Sequence, residues 1–178
     1  MDATTEAAAV PSDDKDWTWV LERPCPECGL HAGEVDVLAV PDLVLANAAG
    51  FQLVLTAPNA RRRPEPDVWS PLEYACHVRD VHRLYAERLA QMLTEVDPRF
   101  ANWDQDETAV ADRYGEQEPA VVSDELMAAA TTIADALRAV AGDQWDRTGE
   151  RSDGARFTVR TFAQYFFHDP YHHLYDVM

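Results

Sequence analysis

The residues able to do chemistry gather near the end of the chain, in Phe167-His168-Asp169-Pro170-Tyr171-His172-His173. His168 and His172 stand four residues apart. On a helix of 3.6 residues per turn such positions share a face, with Cβ atoms about 5 to 6 Å apart, so the two imidazoles can bind one divalent ion. One ion needs further ligands, and an earlier segment offers His77 and His82. Periodicity nominates His82, near the centre of the stripe Val78, Tyr85, Leu89, Met92 and Val96, whereas His77 lies at its edge with Val81 and Leu84.

The element carrying the histidine pair must be largely buried. From Thr158 to Met178 only Arg160, Asp169 and Asp176 are charged. Val159, Phe162, Phe166, Leu174 and Val177 form an ordinary core stripe, while Thr161, Tyr165, His168, His172 and Tyr175 form a second stripe of polar side chains. Buried polar atoms require partners, at a cost of about 1 to 3 kcal/mol for each one left without. Pro170 lies between the histidines and removes one helical hydrogen bond. Because the apolar periodicity continues through it, a kinked helix is expected, rather than a new one that leaves His168 outside.

Three further helices should support this one. Pro41 to Thr56 is apolar at three and four spacing, with proline in its first turn. Ser70-Pro71-Leu72-Glu73 is a capping box, starting a helix that runs to about Val96 and stops at Asp97-Pro98. Ser123 caps a third helix closed by Gly142, and a small hairpin turning at Ser152-Asp153-Gly154 precedes the last helix. Residues 98–122 form a connection long enough to cross between parallel helices. Its Asn102, Trp103 and Asp104, with Tyr165 and Tyr175 of the last helix, are expected at the mouth of a pocket. The fold class is therefore all-α, a four-helix bundle, with residues 1–16 a disordered acidic leader and 17–178 a single domain.

The totals exclude several functions. With 178 residues, a core needs no metal or disulfide staple. A net charge of −17 repels phosphate backbones, so no nucleic-acid partner is expected. No run reaches the roughly 20 apolar residues of a membrane span. The acidic start lacks the features of a signal peptide, so a cytoplasmic protein is expected. Cys25, Cys28 and Cys76 cannot all pair internally, and in a reducing compartment they serve as thiols or ligands. Cys25-x-x-Cys28-x-x-His31 could begin a second metal site, although packing of a tight proline turn is the expected role. Arg61-Arg62-Arg63 is expected to pair with neighbouring acids.

Trp69-Ser70-Pro71-Leu72-Glu73-Tyr74-Ala75-Cys76-His77-Val78-Arg79-Asp80, followed about ninety residues later by His168-x-x-x-His172, resembles the DinB-like superfamily, over roughly Pro41 to Met178. That group includes the YfiT-like metal-dependent hydrolases and the mycothiol-dependent maleylpyruvate isomerases. The resemblance implies an up-down-down-up bundle and a metal held by His77, His168 and His172, with His82 and His173 as substitutes should the register differ. Three imidazoles would leave an open position on the ion, the pattern of a catalytic site. Zinc is the default metal and nickel also fits.

The expected function is a metal-dependent S-transferase, using a small thiol such as mycothiol, or a hydrolase, acting on a small-molecule substrate. A non-catalytic metal-binding or stress-response module is the alternative, because no nucleophile or general base stands out. Bundles with large buried faces often pair, so a homodimer is among the expected assemblies.

Overall fold

The computed structural model describes Val10 and residues 16–178; apart from Val10 and Asp16, the expected leader lies outside the described residues. Five α-helices follow in order: α1 (Val40–Leu55), α2 (Pro71–Thr94), α3 (Gln105–Ala111), α4 (Pro119–Arg138) and α5 (Val159–Val177). A two-stranded antiparallel hairpin, β1 (Thr148–Glu150) and β2 (Arg156–Thr158), precedes α5. The long helices α1, α2, α4 and α5 make the bundle, with the up-down-down-up path expected. Each of α1 and α2 packs against both α4 and α5. Of the long helices consecutive in the chain, α2 and α4 pack side by side across the crossover, whereas α1 with α2 and α4 with α5 meet little.

Local chemistry sets the helix starts. At α2 the Ser70 hydroxyl accepts from the Glu73 amide at 3.3 Å, and the Ser70 amide donates to Glu73 Oε2 at 2.8 Å. Glu73 also receives Arg63 on both oxygens, and Arg61 pairs with Glu118, so two of the three clustered arginines meet acids. Thr158 caps α5 by accepting from the Thr161 amide at 3.1 Å. The third bundle helix starts at Pro119, one turn before the expected Ser123 cap. Proline in a first turn needs no amide partner, so it can open the helix without a side-chain cap. The crossover is not a plain loop, because Asp104 caps α3, accepting from the amides of Asp106 and Glu107 at 3.0 and 2.9 Å.

The core lies between the four long helices, with Val44, Ala48 and Phe51 meeting Leu72, Leu89, Leu126, Ile133 and Phe166, all essentially inaccessible. Helix α5 continues through Pro170, whose carbonyl receives the Asn47 side-chain amide at 2.8 Å. The strap before α1 forms short 3-10 turns at Thr18–Leu21 and Ala32–Glu34, both packed on α5. Gln164 of α5 holds it by donating to the carbonyls of Gly33 and Val35, each at 2.9 Å. At Gly33 a Cβ would stand 1.9 Å from the Leu21 carbonyl oxygen, so no other residue fits.

Candidate metal centre and its cleft

A cleft of about 470 Å³ opens between α2, α5, the crossover and the strap. His77 projects from α2 beneath it, completely buried, with Trp69 and Trp103 rings 5.4 and 5.7 Å from its own. Its Nε2 faces Asp169 Oδ1 at 3.4 Å, and its ring lies 4.9 Å from that of His173. Ligand atoms of His77, Asp169 and His173 lie within 4.8 Å of one another. A second group, Cys25, Cys28, His168 and His172, meets the same limit.

The three expected ligands are thus divided among the described residues. His77 stands with Asp169 and His173, while His168 and His172 stand with the two cysteines of the strap. The cause is helical rotation. Residues 168 and 169 are about 100° apart around α5, so the pair at 168 and 172 and the pair at 169 and 173 point to different neighbours. His173, named as a substitute, is the histidine beside His77, and Asp169, which is not among the expected ligands, stands with them. The signal available in the sequence was a second i, i+4 donor pair, displaced by one residue.

His82, the other substitute, is a core residue. Its Nδ1–H donates to the Val78 carbonyl and its ring packs edge-on against Phe166, 5.4 Å away. Burial first of all pulls its pKa down to about 4, so the ring is neutral. His31 turns to Glu34, 3.3 Å away, instead of joining Cys25 and Cys28. Of the expected pocket residues, Tyr165, Asn102 and Trp103 line the cleft. Asp104 is spent as the α3 cap, and Tyr175 is more than half exposed.

Buried atoms without hydrogen-bond partners test whether His77, Asp169 and His173 suit a cation. Both His77 nitrogens and Asp169 Oδ1 are in that state, a costly arrangement unless a ligand engages them. Around a tetrahedral zinc, imidazole nitrogen and carboxylate oxygen stand about 3.4 Å apart, which matches the His77–Asp169 separation. Burial would push the Asp169 carboxyl up, but the imidazoles of His77 and His173 outweigh it and hold the group well below the usual range. His173 Nδ1 faces Asp176 Oδ2 at 3.1 Å, leaving Nε2 toward Asp169. A carboxylate on the far ring nitrogen is the usual support of a metal-binding histidine. The set therefore fits a divalent ion, with two imidazoles and one carboxylate.

The opposite wall of the cleft carries Arg88, which is 8% exposed. Its guanidinium donates to the Ala101 carbonyl at 3.1 Å and lies over the rings of Tyr85 and Phe100. Among the described residues it pairs with no carboxylate. Arg151, by contrast, is engaged by Asp153 and by the Tyr165 hydroxyl. Cys76 turns its sulfur to the Tyr114 carbonyl and Gln117, and burial pushes its thiol up to about 12, so it is an unreactive core residue.

Among the described residues no helix is long and apolar enough to cross a membrane. No curated protein matches the chain. Among solved structures, YfiT from Bacillus subtilis, described as a probable metal-dependent hydrolase with an unusual four-helix bundle topology, is similar with a TM-score of 0.69. The likeness covers 78% of this chain and 83% of that one at 16% identity, and so concerns the fold. The sequence model of the DinB superfamily matches residues 44–177, far more than half of the chain, including α2 and α5 and hence both halves of the cleft centre; the protein belongs to the DinB superfamily.

Proposed function

We propose that this protein is a metal-dependent hydrolase of small anionic substrates, with its ion held by His77, Asp169 and His173. The observation that carries this reading is that the buried His77 nitrogens and Asp169 Oδ1 make no hydrogen bond, although His77 Nε2 faces that oxygen at 3.4 Å beside an open cleft. The likeness to a protein described as a probable metal-dependent hydrolase supports the reaction class. A divalent ion at this position supplies Lewis acidity toward a carbonyl oxygen and toward an attacking water or thiol.

The chain's own residues do the rest. Asp176 fixes the orientation of His173 by accepting its Nδ1 proton. Trp69 and Trp103 cover the His77 ring and keep bulk water from its sides. Arg88 offers a guanidinium without a carboxylate partner, suited to a substrate carboxylate or phosphate. Trp103 brings the crossover onto the cleft, so a substrate would lie between the crossover and α5.

Zinc remains the expected ion, and two imidazoles with a carboxylate also suit iron or nickel. Thiol transfer, which the resemblance implied, could use the same open position, with mycothiol as cosubstrate. The test is metal analysis and turnover by Asp169→Asn, His77→Ala and His173→Ala proteins. Ester, amide and phosphate hydrolysis panels would be run beside a panel of thiols and electrophiles. Loss of metal-dependent hydrolysis in all three variants is expected. Conjugation without hydrolysis would replace the reaction class with thiol transfer, and a bound ion with neither activity would favour the binding module. Retention of the ion in all three would overturn the ligand assignment.

A further inference from the structure

The second donor group is built like a closed metal site. Cys25 and Cys28 lie in a turn in which the Cys25 amide donates to the Leu30 carbonyl and the Gly29 amide to the Cys25 carbonyl, both at 2.8 Å. Gly29, at φ +76°, takes the left-handed conformation that closes the turn. The two histidines come from the α5 face toward the strap, 147 and 140 residues away from their cysteine partners. Cys25 Sγ stands 3.6 Å from His172 Nδ1, and Cys28 Sγ stands 3.7 Å from His168 Nε2. With zinc–sulfur bonds of about 2.3 Å and zinc–nitrogen bonds of about 2.0 Å, the sulfur-to-nitrogen edge of a tetrahedron is about 3.5 Å.

The surroundings agree with ligation. His172 turns its other nitrogen to Glu27 Oε2 at 3.3 Å, the outer carboxylate common on zinc-bound imidazole. Trp17 covers both imidazoles, with ring centroids 5.5 and 5.4 Å away. Cys25, His168 and His172 are buried, with the two imidazoles at the edge of the same cleft and the sulfurs on the strap side.

We propose that Cys25, Cys28, His168 and His172 bind a structural zinc ion that fastens the N-terminal strap to α5. Four protein ligands, two of them thiolates, complete a tetrahedral shell and leave no position for a substrate. The ion pins the segment carrying Trp17 and Glu27, both of which line the cleft. No ligand is shared with His77, Asp169 and His173, so the proposal stands whether or not the cleft is catalytic.

The test uses the full chain in a Cys76→Ser background, purified under reducing conditions without chelator. Cobalt substitution of the intact protein should give thiolate-to-metal charge-transfer absorption and the visible bands of a tetrahedral ion. That signal should vanish in Cys28→Ser and His168→Ala and persist in Asp169→Asn. In the zinc form, Cys25 and Cys28 should react with an aromatic disulfide at least about tenfold more slowly than after chelation. Equal thiol reactivity before and after chelation, a cobalt spectrum without thiolate character, or a Cys25–Cys28 disulfide in the purified protein would each overturn the site. The cobalt and thiol measurements on otherwise unchanged protein decide the matter even where a variant fails to fold.

Discussion

Two faces of one helix carry two donor sets of opposite character. Toward α2, Asp169 and His173 join His77 in a set of two nitrogens and one oxygen beside an open cleft. Toward the strap, His168 and His172 join Cys25 and Cys28 in a set of two nitrogens and two sulfurs. The spacing on α5 is the same in both, and the sets differ by one residue of rotation and by what the neighbouring segment brings. A carboxylate and an unfilled shell suit chemistry at the ion, whereas two thiolates and a complete shell suit a staple. Ligand spacing on one helix thus states that a site is present, and the facing segment states which kind.

The largest expected effect is a crossed loss of metal. Asp169→Asn should remove the cleft ion and lower turnover by more than about 100-fold, beyond the usual loss from an outer-shell change, with the strap ion retained. Cys28→Ser should do the reverse, losing the strap ion and lowering the melting temperature on the order of 10 °C in thermal unfolding. If either variant empties both sites, the separation of the two faces is wrong. His168→Ala is the sharpest single member, since a three-histidine centre with His77 and His172 requires it to abolish the cleft ion.

Proton release should separate the sets next. Burial pushes the Cys28 thiol up to about 11, so it must lose a proton to ligate at neutral pH. His168 is held neutral, because burial and then the His172 ring pull its pKa down to about 4. Asp169 is already ionised, since its pKa is depressed. Affinity at the strap should therefore rise with pH near neutrality as the Cys28 proton is released, and the cleft should release fewer protons per ion. Calorimetry in buffers of different ionisation enthalpy measures the difference in Asp169→Asn and Cys28→Ser proteins.

Smaller effects should stay on the cleft side. Asp176→Asn removes the support of His173 and should weaken the cleft ion by about 10-fold to 100-fold, read by competition with a chelating dye. Arg88→Leu should leave both ions in place and raise KM for anionic substrates by about tenfold or more, as expected for loss of one charge-assisted hydrogen bond. An equal loss for neutral substrates would show that Arg88 only packs the wall.

Much of the frame is legible along the chain, because its signals are local. Ser70 and Glu73 are three residues apart, and their reciprocal bonds form wherever that segment lies. Thr158 starts α5 in the same way, and Asp97 ends the α2 region in a left-handed conformation at φ 53°. Less local features were not legible. Helix α4 starts one turn before Ser123, because proline can open a helix without a side-chain cap. Helix α3 does not stand out within the connection of residues 98–122, because seven residues with a single cap leave little periodicity.

By itself, the sequence determined the helical frame, the acidic surface and two overlapping i, i+4 donor pairs at residues 168–173. It also holds Cys-x-x-Cys and His-x-x-x-His with suitable internal spacing, but about 140 residues of intervening chain leave their meeting open. Only tertiary structure decided which pair faces α2 and which faces the strap. Spacing fixes which residues share a face of a helix. The direction in which that face points is set by packing, here by Phe162 and Phe166 seating α5 against Tyr85 of α2 and by Gln164 gripping the strap.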